Sequence, residues 1–361
     1  MARTSSVPTA PPGRPAAKRP PTTRFQGSKR RHLAWLGDVV GALEFDSAVD
    51  LMSGTSSVAY ALKAAGKQVH ANDVLHASHL TALALIENGA TRLSEAAVAA
   101  LVAPPEPRSA GFIAEAYAGV FYLPEENAFL DRIVRRIGAL NTAHERAIAM
   151  HALFQACLMK RPFNLFHRHN LHLRTAVVPR SFGNKRTWDR PFDELIRAAI
   201  GELHGAIFDN GRTNVATRAD AFDVNVEADL VYLDPPYLRA TGASFRYGDA
   251  YHFLEGLARY QEWPERIDRS LRHRPFRADP TPFDDPRRGP EALLELLGRF
   301  AQVRHLVVSY RDEGVPAIAT IERRMRDQGR EVRVHKTPKR YALARSHSSE
   351  VLVVGTRRGP R

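Results

Sequence analysis

Residues 230–237 read Leu-Val-Tyr-Leu-Asp-Pro-Pro-Tyr, an apolar run that stops at two prolines. A run of this kind, partly β-branched, predicts a buried strand. Proline has no N–H to give to a sheet ladder, so the strand must end there, with Asp234 at its tip. In an open α/β sheet, ligands bind beyond the carboxyl ends of the strands. The sequence therefore places a carboxylate, a rigid turn and an aromatic ring where a ligand would sit.

Those groups suit one kind of reaction. An amine conjugated to an aromatic ring is a weak nucleophile, because its lone pair is delocalised. The Asp234 carboxylate and the Pro235 carbonyl are two acceptors able to bind both amine hydrogens and draw the nitrogen towards sp3, while Tyr237 offers a face for a flat base. Pro235 and Pro236 keep the acceptors in place, so little reorganisation is needed in the transition state. The plainer reading is a strand that ends in a turn, with a solvated acid and a half-buried tyrosine.

At 361 residues the chain exceeds one average domain, which predicts two domains or one core with a large insertion. Its net charge of +13 favours a polyanionic partner, nucleic acid ahead of a membrane surface, although basicity also serves solubility. A single cysteine, Cys157, can form neither an internal disulfide nor a cysteine-based zinc site, which fits a reducing cytoplasm. No segment reaches the ~18 continuous apolar residues of a membrane span, and the N-terminus lacks the apolar core of a secretory signal.

In chain order, residues 1–22 are rich in proline, alanine and basic groups without acids, which predicts a disordered basic tail. Order is expected from Phe25-Gln26-Gly27-Ser28-Lys29, a turn that opens a helix. A strand over 45–51, a small-residue loop, an alanine-rich helix stopped by Gly66 and a strand over 67–71 ending in Asn72-Asp73 make a βαβ unit. Small residues at the first strand's end let a ligand approach the backbone, and an acid at the second strand's tip can bind ribose hydroxyls. The loop lacks the full glycine pattern of dinucleotide sites, which disfavours phosphate binding and a nucleotide-dependent oxidoreductase.

Helical spacing marks segments near 76–88, 94–102, 110–118, 126–139, 143–159 and 192–207, with a proline-rich break at 104–107. Between the last two helices, residues 160–174 alternate basic groups, amides and aromatics. Lys160, Arg161, Asn164, His167, Arg168, Asn170 and Arg174 are the candidate nucleic-acid contacts. The alternative is a structural loop with solvated charges. A strand over 213–218 leads to Asp220. Residues 238–290, proline-rich and polar, are expected to be irregular, as in a lid or binding loop. A helix at 291–300, a strand at 304–309, a helix near 316–328 and antiparallel strands at 331–335 and 350–355 flanking a basic loop (336–345) complete the pattern.

Taken in order, Phe-Gln-Gly-Ser-Lys (25–29), Asp-Leu-Met-Ser-Gly-Thr (50–55), Asn-Asp (72–73), Asp-Pro-Pro-Tyr (234–237), Ser-Tyr (309–310) and Glu-Val-Leu (350–352) resemble the Dam-like class of adenine-N(6) DNA methyltransferases, which use S-adenosylmethionine. The resemblance implies an α/β, Rossmann-like methyltransferase sheet with helices on both faces and a largely helical inserted target-recognition region. It divides the chain into a catalytic domain of 23–75 and 214–355, an insertion of 76–213 and a lid or DNA-contacting segment of 238–290. It implies cofactor contacts from Phe25, Lys29, Asp50, Ser53, Gly54, Thr55, Asp73 (ribose) and Asp220 (adenine), and a catalytic turn of Asp234, Pro235, Pro236 and Tyr237. One departure stands out. Ser56 occupies the place of the family's second glycine, where a serine fits if its φ is negative, and the expectation is an altered rather than lost cofactor approach.

The implied activity is metal-free, direct methyl transfer from S-adenosylmethionine to the exocyclic amine of an adenine flipped out of double-stranded DNA. Methylation at a cytosine carbon needs a thiolate, and Cys157 lies outside every motif. Further expectations are a monomer or weak dimer without membrane association, a cytoplasmic, nucleoid-associated location, and a cognate restriction endonuclease as a possible partner. The alternatives are another amine target (cytosine N(4), an RNA base or a glutamine amide) and a catalytically silent DNA-binding relative.

Overall fold

A computed structural model describes residues 18–104, 111–176, 184–238, 245–339 and 348–357. The core is a seven-stranded sheet of β1 (Ser47–Asp50), β2 (Gln68–Asn72), β3 (Val215–Thr217), β4 (Leu230–Leu233), β5 (His305–Arg311), β6 (Arg330–Lys339) and β7 (Ser348–Arg357), in the order β3-β2-β1-β4-β5-β7-β6. β1 to β5 run parallel to one another. β7 inserts antiparallel between β5 and β6.

Side chains alternate between the two faces of the strands, and the chain places apolar residues on both. Val49, Val231, Leu233, Leu306, Val308, Val351 and Val353 face the helices Gly289–Arg299 and Ile318–Asp327, through Leu293, Leu296, Ile321 and Met325. Ala48, Leu230, Tyr232, Val307, Leu352 and Val354 belong to the larger core, shared with the helices Leu33–Gly41, Ser57–Ala64 and Ala143–Lys160. Burial on both sides, worth roughly 1.5–3 kcal/mol for each large apolar side chain, explains the unbroken apolar reading of β4 and β5.

The βαβ unit forms as expected. The helix Ser57–Ala64 closes at Gly66, whose φ of +80° suits glycine. Between β2 and β3 lies the helical insertion, including Pro124–Gly138, Ala143–Lys160 and Phe192–Ala206. Its first helix, His76–Ala82, runs on into a π-helical turn, Leu83–Glu87.

Two expectations differ from what is observed. Residues 18–22, assigned to the basic tail, pack on the fold. Pro20 and Pro21 are buried, Thr22 bonds Glu202 through its N–H and hydroxyl (both 2.6 Å), and the Lys18 ammonium sits 3.8 Å over the Phe208 ring. The segment expected to be irregular, 238–290, contains the helices Tyr247–Ala250, His252–Ala258 and Trp263–Arg266. Phe253, Trp263 and Phe276 are buried, and Phe253 and Trp263 pack on Tyr117 of the insertion. Proline and polar groups in this segment mask a short-helix pattern with an aromatic core. The rest of the tail, most of the proline-rich break and most of the basic loop 336–345 lie outside the described residues. No described helix is long and apolar enough to cross a membrane.

Candidate active site

A cleft with about 1190 Å³ of space free of protein atoms, open to solvent, lies at the carboxyl ends of β1, β2 and β4. All eight residues predicted to hold the cofactor line it: Phe25, Lys29, Asp50, Ser53, Gly54, Thr55, Asp73 and Asp220. Asp234 and Pro236 line it as well.

Hydrogen bonds fix the loop after β1. Ser53 N–H donates to the Asn72 carbonyl (2.8 Å), and Gly54 N–H to Asp73 Oδ2 (2.8 Å). Leu75 N–H donates to Asp73 Oδ1 (2.9 Å), so each oxygen of this acid already holds an amide. Burial raises the Asp73 carboxyl to about 6 although those two amides oppose it. The hydroxyls of Ser28, Thr55 and Ser57 meet at 2.8–3.2 Å, tying the entry turn to the loop. Asp220 Oδ1 accepts from Phe222 N–H (3.0 Å).

Asp50 is buried at the end of β1. Its Oδ2 accepts from Ala59 N–H (3.0 Å), whereas among the described residues Oδ1 has no partner, and neither do the hydroxyls of Ser53 and Ser56. Burial pushes the Asp50 carboxyl up to about 8. The Ala59 amide opposes this, and the charges of Asp234 and Asp73 add to it.

Ser56 adopts the left-handed region, φ +56°, and not the negative φ assumed for a serine there. The tight turn into the helix Ser57–Ala64 demands it, which explains why a glycine would suit the position.

The tetrapeptide beyond β4 has a partner that the sequence reading missed. The Lys29 ammonium lies 2.7 Å from Asp234 Oδ1 and 2.9 Å from Glu350 Oε1. Glu350, at the start of β7, is fully buried and also bonds the Tyr237 hydroxyl and Ser309. Tyr237 in turn bonds Asp234 Oδ1 (3.1 Å), so both contacts fall on Oδ1 and none of the described hydrogen bonds involves Oδ2. Burial pulls the lysine down, but Asp234, Tyr232 and Glu350 more than offset it, and its pKa stands above the ordinary value. The Asp234 pKa is raised, by burial first and then by Glu350, with Lys29 opposing. One cation shared by two acids cannot fully satisfy both. Lys29 thus touches Asp234 as well as lining the cleft. The antiparallel course of β7 supplies Glu350, and a single Glu-Val-Leu gives no local sign of that.

Pro235 is buried. Tyr237 is half-buried, edge-on to Tyr310 with ring centroids 5.5 Å apart, and does not line the cleft. The aromatic residues lining the cleft are instead Phe25, Tyr232, Tyr247 and Phe283, with Tyr251 stacked 3.8 Å from Phe25. Gly27, with φ +84°, has Tyr247 where a Cβ would stand. The spacing of Phe245, Tyr247 and Tyr251 was the available signal for this group.

The basic-aromatic stretch divides. Lys160 donates to the Trp188 carbonyl (2.9 Å) and pairs with Glu126 (2.8 Å), and Arg174 takes both Glu126 oxygens (2.7 and 2.8 Å). Arg161 donates to the Leu165 and Arg168 carbonyls, with its guanidinium 4.5 Å from the Phe121 ring centroid. All three are buried, so they brace the protein instead of presenting charge to a ligand. His167 and Arg168 are exposed, Asn164 and Asn170 partly so, and the exposed ring is Phe163 at 67%.

Across the cleft lining stand seven aspartates (Asp50, Asp73, Asp220, Asp234, Asp249, Asp279 and Asp284) against one lysine and one arginine. Asp249 and Asp284 pair with Arg246, Asp279 with Arg259 and Arg266, and Asp234 with Lys29, while burial favours the neutral form of Asp50. Asp73 and Asp220 are the acids without an ion pair among the described residues, which still tilts the cleft towards a ligand with cationic groups.

A family model described as D12 class N6 adenine-specific DNA methyltransferase matches residues 25–274. The Type II methyltransferase M2.HphI of Haemophilus parahaemolyticus is 28% identical over 330 residues, covering 90% of this chain and 93% of that protein. Modification methylase StsI of Streptococcus sanguinis is 26% identical over 289 residues, covering 74% of this chain and 40% of that one. Type II methyltransferase M.FokI of Planomicrobium okeanokoites is 29% identical over 151 residues, covering 40% and 22%.

Proposed function

The chain belongs to the D12 class N6 adenine-specific DNA methyltransferase family, and from that premise we propose that it methylates the exocyclic amine of an adenine flipped out of duplex DNA, using S-adenosylmethionine. The observation that carries the cofactor is the acidic cleft, with its unpartnered Asp50 Oδ1 and Ser53 hydroxyl. A ligand bearing an ammonium and a sulfonium suits those groups. Phe25, Ser53, Gly54, Thr55, Asp73 and Asp220 would hold it. S-adenosylmethionine, when bound, supplies an electrophilic methyl group.

The remaining steps fall to the chain's own residues. Lys29 and Tyr237 anchor Asp234 through Oδ1, which leaves Oδ2 to accept one hydrogen of the adenine amine. The Pro235 carbonyl accepts the other, and the nitrogen lone pair is freed for attack. Prolines 235 and 236 hold these acceptors before the base arrives. Unstacking the base costs a few kcal/mol, offset by contacts in the pocket, for which the Phe25–Tyr247 pair in the cleft wall provides aromatic surface. Cys157 is buried and its thiol is pushed up by burial, which supports direct transfer to nitrogen over a thiolate route.

We assign the 76–213 insertion to target recognition. The M2.HphI, StsI and M.FokI names support a role in restriction-modification, with a cognate endonuclease as partner. Incubating the protein with duplex DNA and labelled cofactor, then digesting to nucleosides for mass spectrometry, tests the reading. Labelled N(6)-methyl-2′-deoxyadenosine is expected. Label on cytosine, or DNA binding without transfer, would overturn it.

A further inference from the structure

A second basic element lies beyond the stretch 160–174, within the segment 238–290. Residues 267–276 form a small hairpin, closed by an antiparallel bridge between Ile267 and Phe276 and by a hydrogen bond from Asp268 N–H to the Pro275 carbonyl (2.8 Å). Its exposed tip carries Arg269, Leu271 and Arg272. Leu271 is 48% exposed, as one of only three large apolar side chains exposed among the described residues, and Phe163 is another.

The hairpin is fastened to the loop 163–170 through a buried imidazole. His252 Nε2 donates to the Phe166 carbonyl (3.0 Å), and its Nδ1 accepts from Phe276 N–H (3.2 Å). One neutral tautomer satisfies both bonds, and burial pushes the imidazole down to about 3, so it stays uncharged. Phe166 N–H also donates to the Ala250 carbonyl (2.9 Å). On the hairpin's other side, the Tyr117 hydroxyl donates to the Arg274 carbonyl (2.5 Å) and accepts from Trp263 Nε1 (3.0 Å). The rings of His252 and His273 lie 5.6 Å apart, and His273, lowered first by burial, also feels His167 and His169. The two elements are therefore neighbours held at a fixed spacing.

Arg168, Arg269 and Arg272 are exposed and form no ion pair among the described residues. The inner arginines are engaged: Arg266 with Glu262 and Asp279, and Arg277 with Asp268.

We propose that the hairpin 267–276 and the loop 163–170 form one phosphate-binding surface for the duplex DNA substrate, with Arg168, Arg269 and Arg272 as its backbone contacts and His252 as the bracket that sets their spacing. This rests on the function proposed above. Exposed guanidinium groups on two elements tied to one imidazole suit phosphates, and each such pairing releases counterions, so binding weakens with salt.

The test measures binding of the full-length protein to a fluorescent duplex between 50 and 200 mM salt, for wild type and R269A/R272A. Removing one phosphate-neutralising cation flattens the log–log salt slope by about 0.9, so the double variant should bind with a slope shallower by nearly 2 and at least ~10-fold weaker at low salt. S-adenosylmethionine binding by calorimetry should be unchanged, which certifies the fold. A control pair, R323A/R326A, on the helix Ile318–Asp327, should leave the slope alone. An unaltered slope in R269A/R272A, an equal change in the control, or a larger change with single-stranded RNA than with duplex DNA would each overturn the proposal. If wild type binds duplex DNA with the expected slope but transfers no methyl group, the proposed function fails while this surface stands. If it methylates and R269A/R272A binds as wild type, the surface alone fails.

Discussion

The ammonium of Lys29 sits 2.7 Å from Oδ1 of Asp234 and favours the carboxylate form of that acid. Its charge opposes the rise that burial and Glu350 impose on Asp234. With Lys29→Gln that opposition is gone, the acid's pKa climbs further, and the carboxylate is populated only at higher pH. The rising limb of the kcat–pH profile should move to the alkaline side, with a loss of roughly 10²-fold at neutral pH. An unshifted limb would free Asp234 from this dependence on Lys29.

Asp234→Ala removes an acceptor for the amine but leaves the β1 and β2 loops untouched. Methyl transfer should fall by about 10²–10³-fold or more, while S-adenosylmethionine binding measured by calorimetry stays within a few-fold of wild type. Turnover close to wild type would refute the catalytic assignment.

Asp50 gives a pH dependence with a definite sign. Its folded value of about 8 lies above the ordinary 3.8. A group raised in this way contributes stability at low pH that is lost as pH rises through about 8. Asp50→Asn has no such proton to lose, so its Tm should fall less than that of wild type between about pH 5 and 8.5. A cation entering the cleft should also expel the Asp50 proton. Calorimetry of S-adenosylmethionine binding in two buffers of different ionisation heat should then show proton release near pH 7, and none in Asp50→Asn.

Ser56 holds a left-handed φ of +56° with its hydroxyl buried and unpartnered. Ser56→Gly should relieve about 1 kcal/mol of backbone strain and raise Tm by a degree or two. A lower Tm would mean that the hydroxyl does more for the loop than the strain costs.

Arg168 and Arg174, six positions apart, should behave oppositely. Arg174 fills both oxygens of Glu126 in the interior, and its removal leaves that carboxylate with Lys160 as its remaining cation. Arg174→Ala should cost about 3–5 kcal/mol of stability. Arg168→Ala should leave Tm unchanged and weaken duplex binding. Thermal melts beside anisotropy titrations would separate the two roles.

The sheet was legible because β4 and β5 are apolar on both faces, and the cleft because its motifs stand at strand tips, where small residues and acids have few structural reasons to gather. What was hidden involves partners far apart in sequence. Glu126 pairs with Lys160 and Arg174 across a turn of the insertion, so the same basic residues read as a nucleic-acid stretch until their burial is known. Glu350 and Tyr247 reach the entry turn at Gly27 and Lys29 from more than two hundred residues away. The acidity of the cleft is likewise invisible in a chain whose total charge is strongly positive, because its seven aspartates are scattered from position 50 to position 284.

β7 runs against its neighbours, and that direction alone brings its first residues, Glu350 among them, beside the tips of β4 and β5. A ribosome making this protein must therefore finish some three hundred and fifty residues before Lys29, one of the earliest, meets its second anion. Until then the nascent polypeptide can shape the cleft but holds Asp234 with an incomplete set of charges. On the function proposed above, competence for catalysis thus arrives late, once β7 has been made.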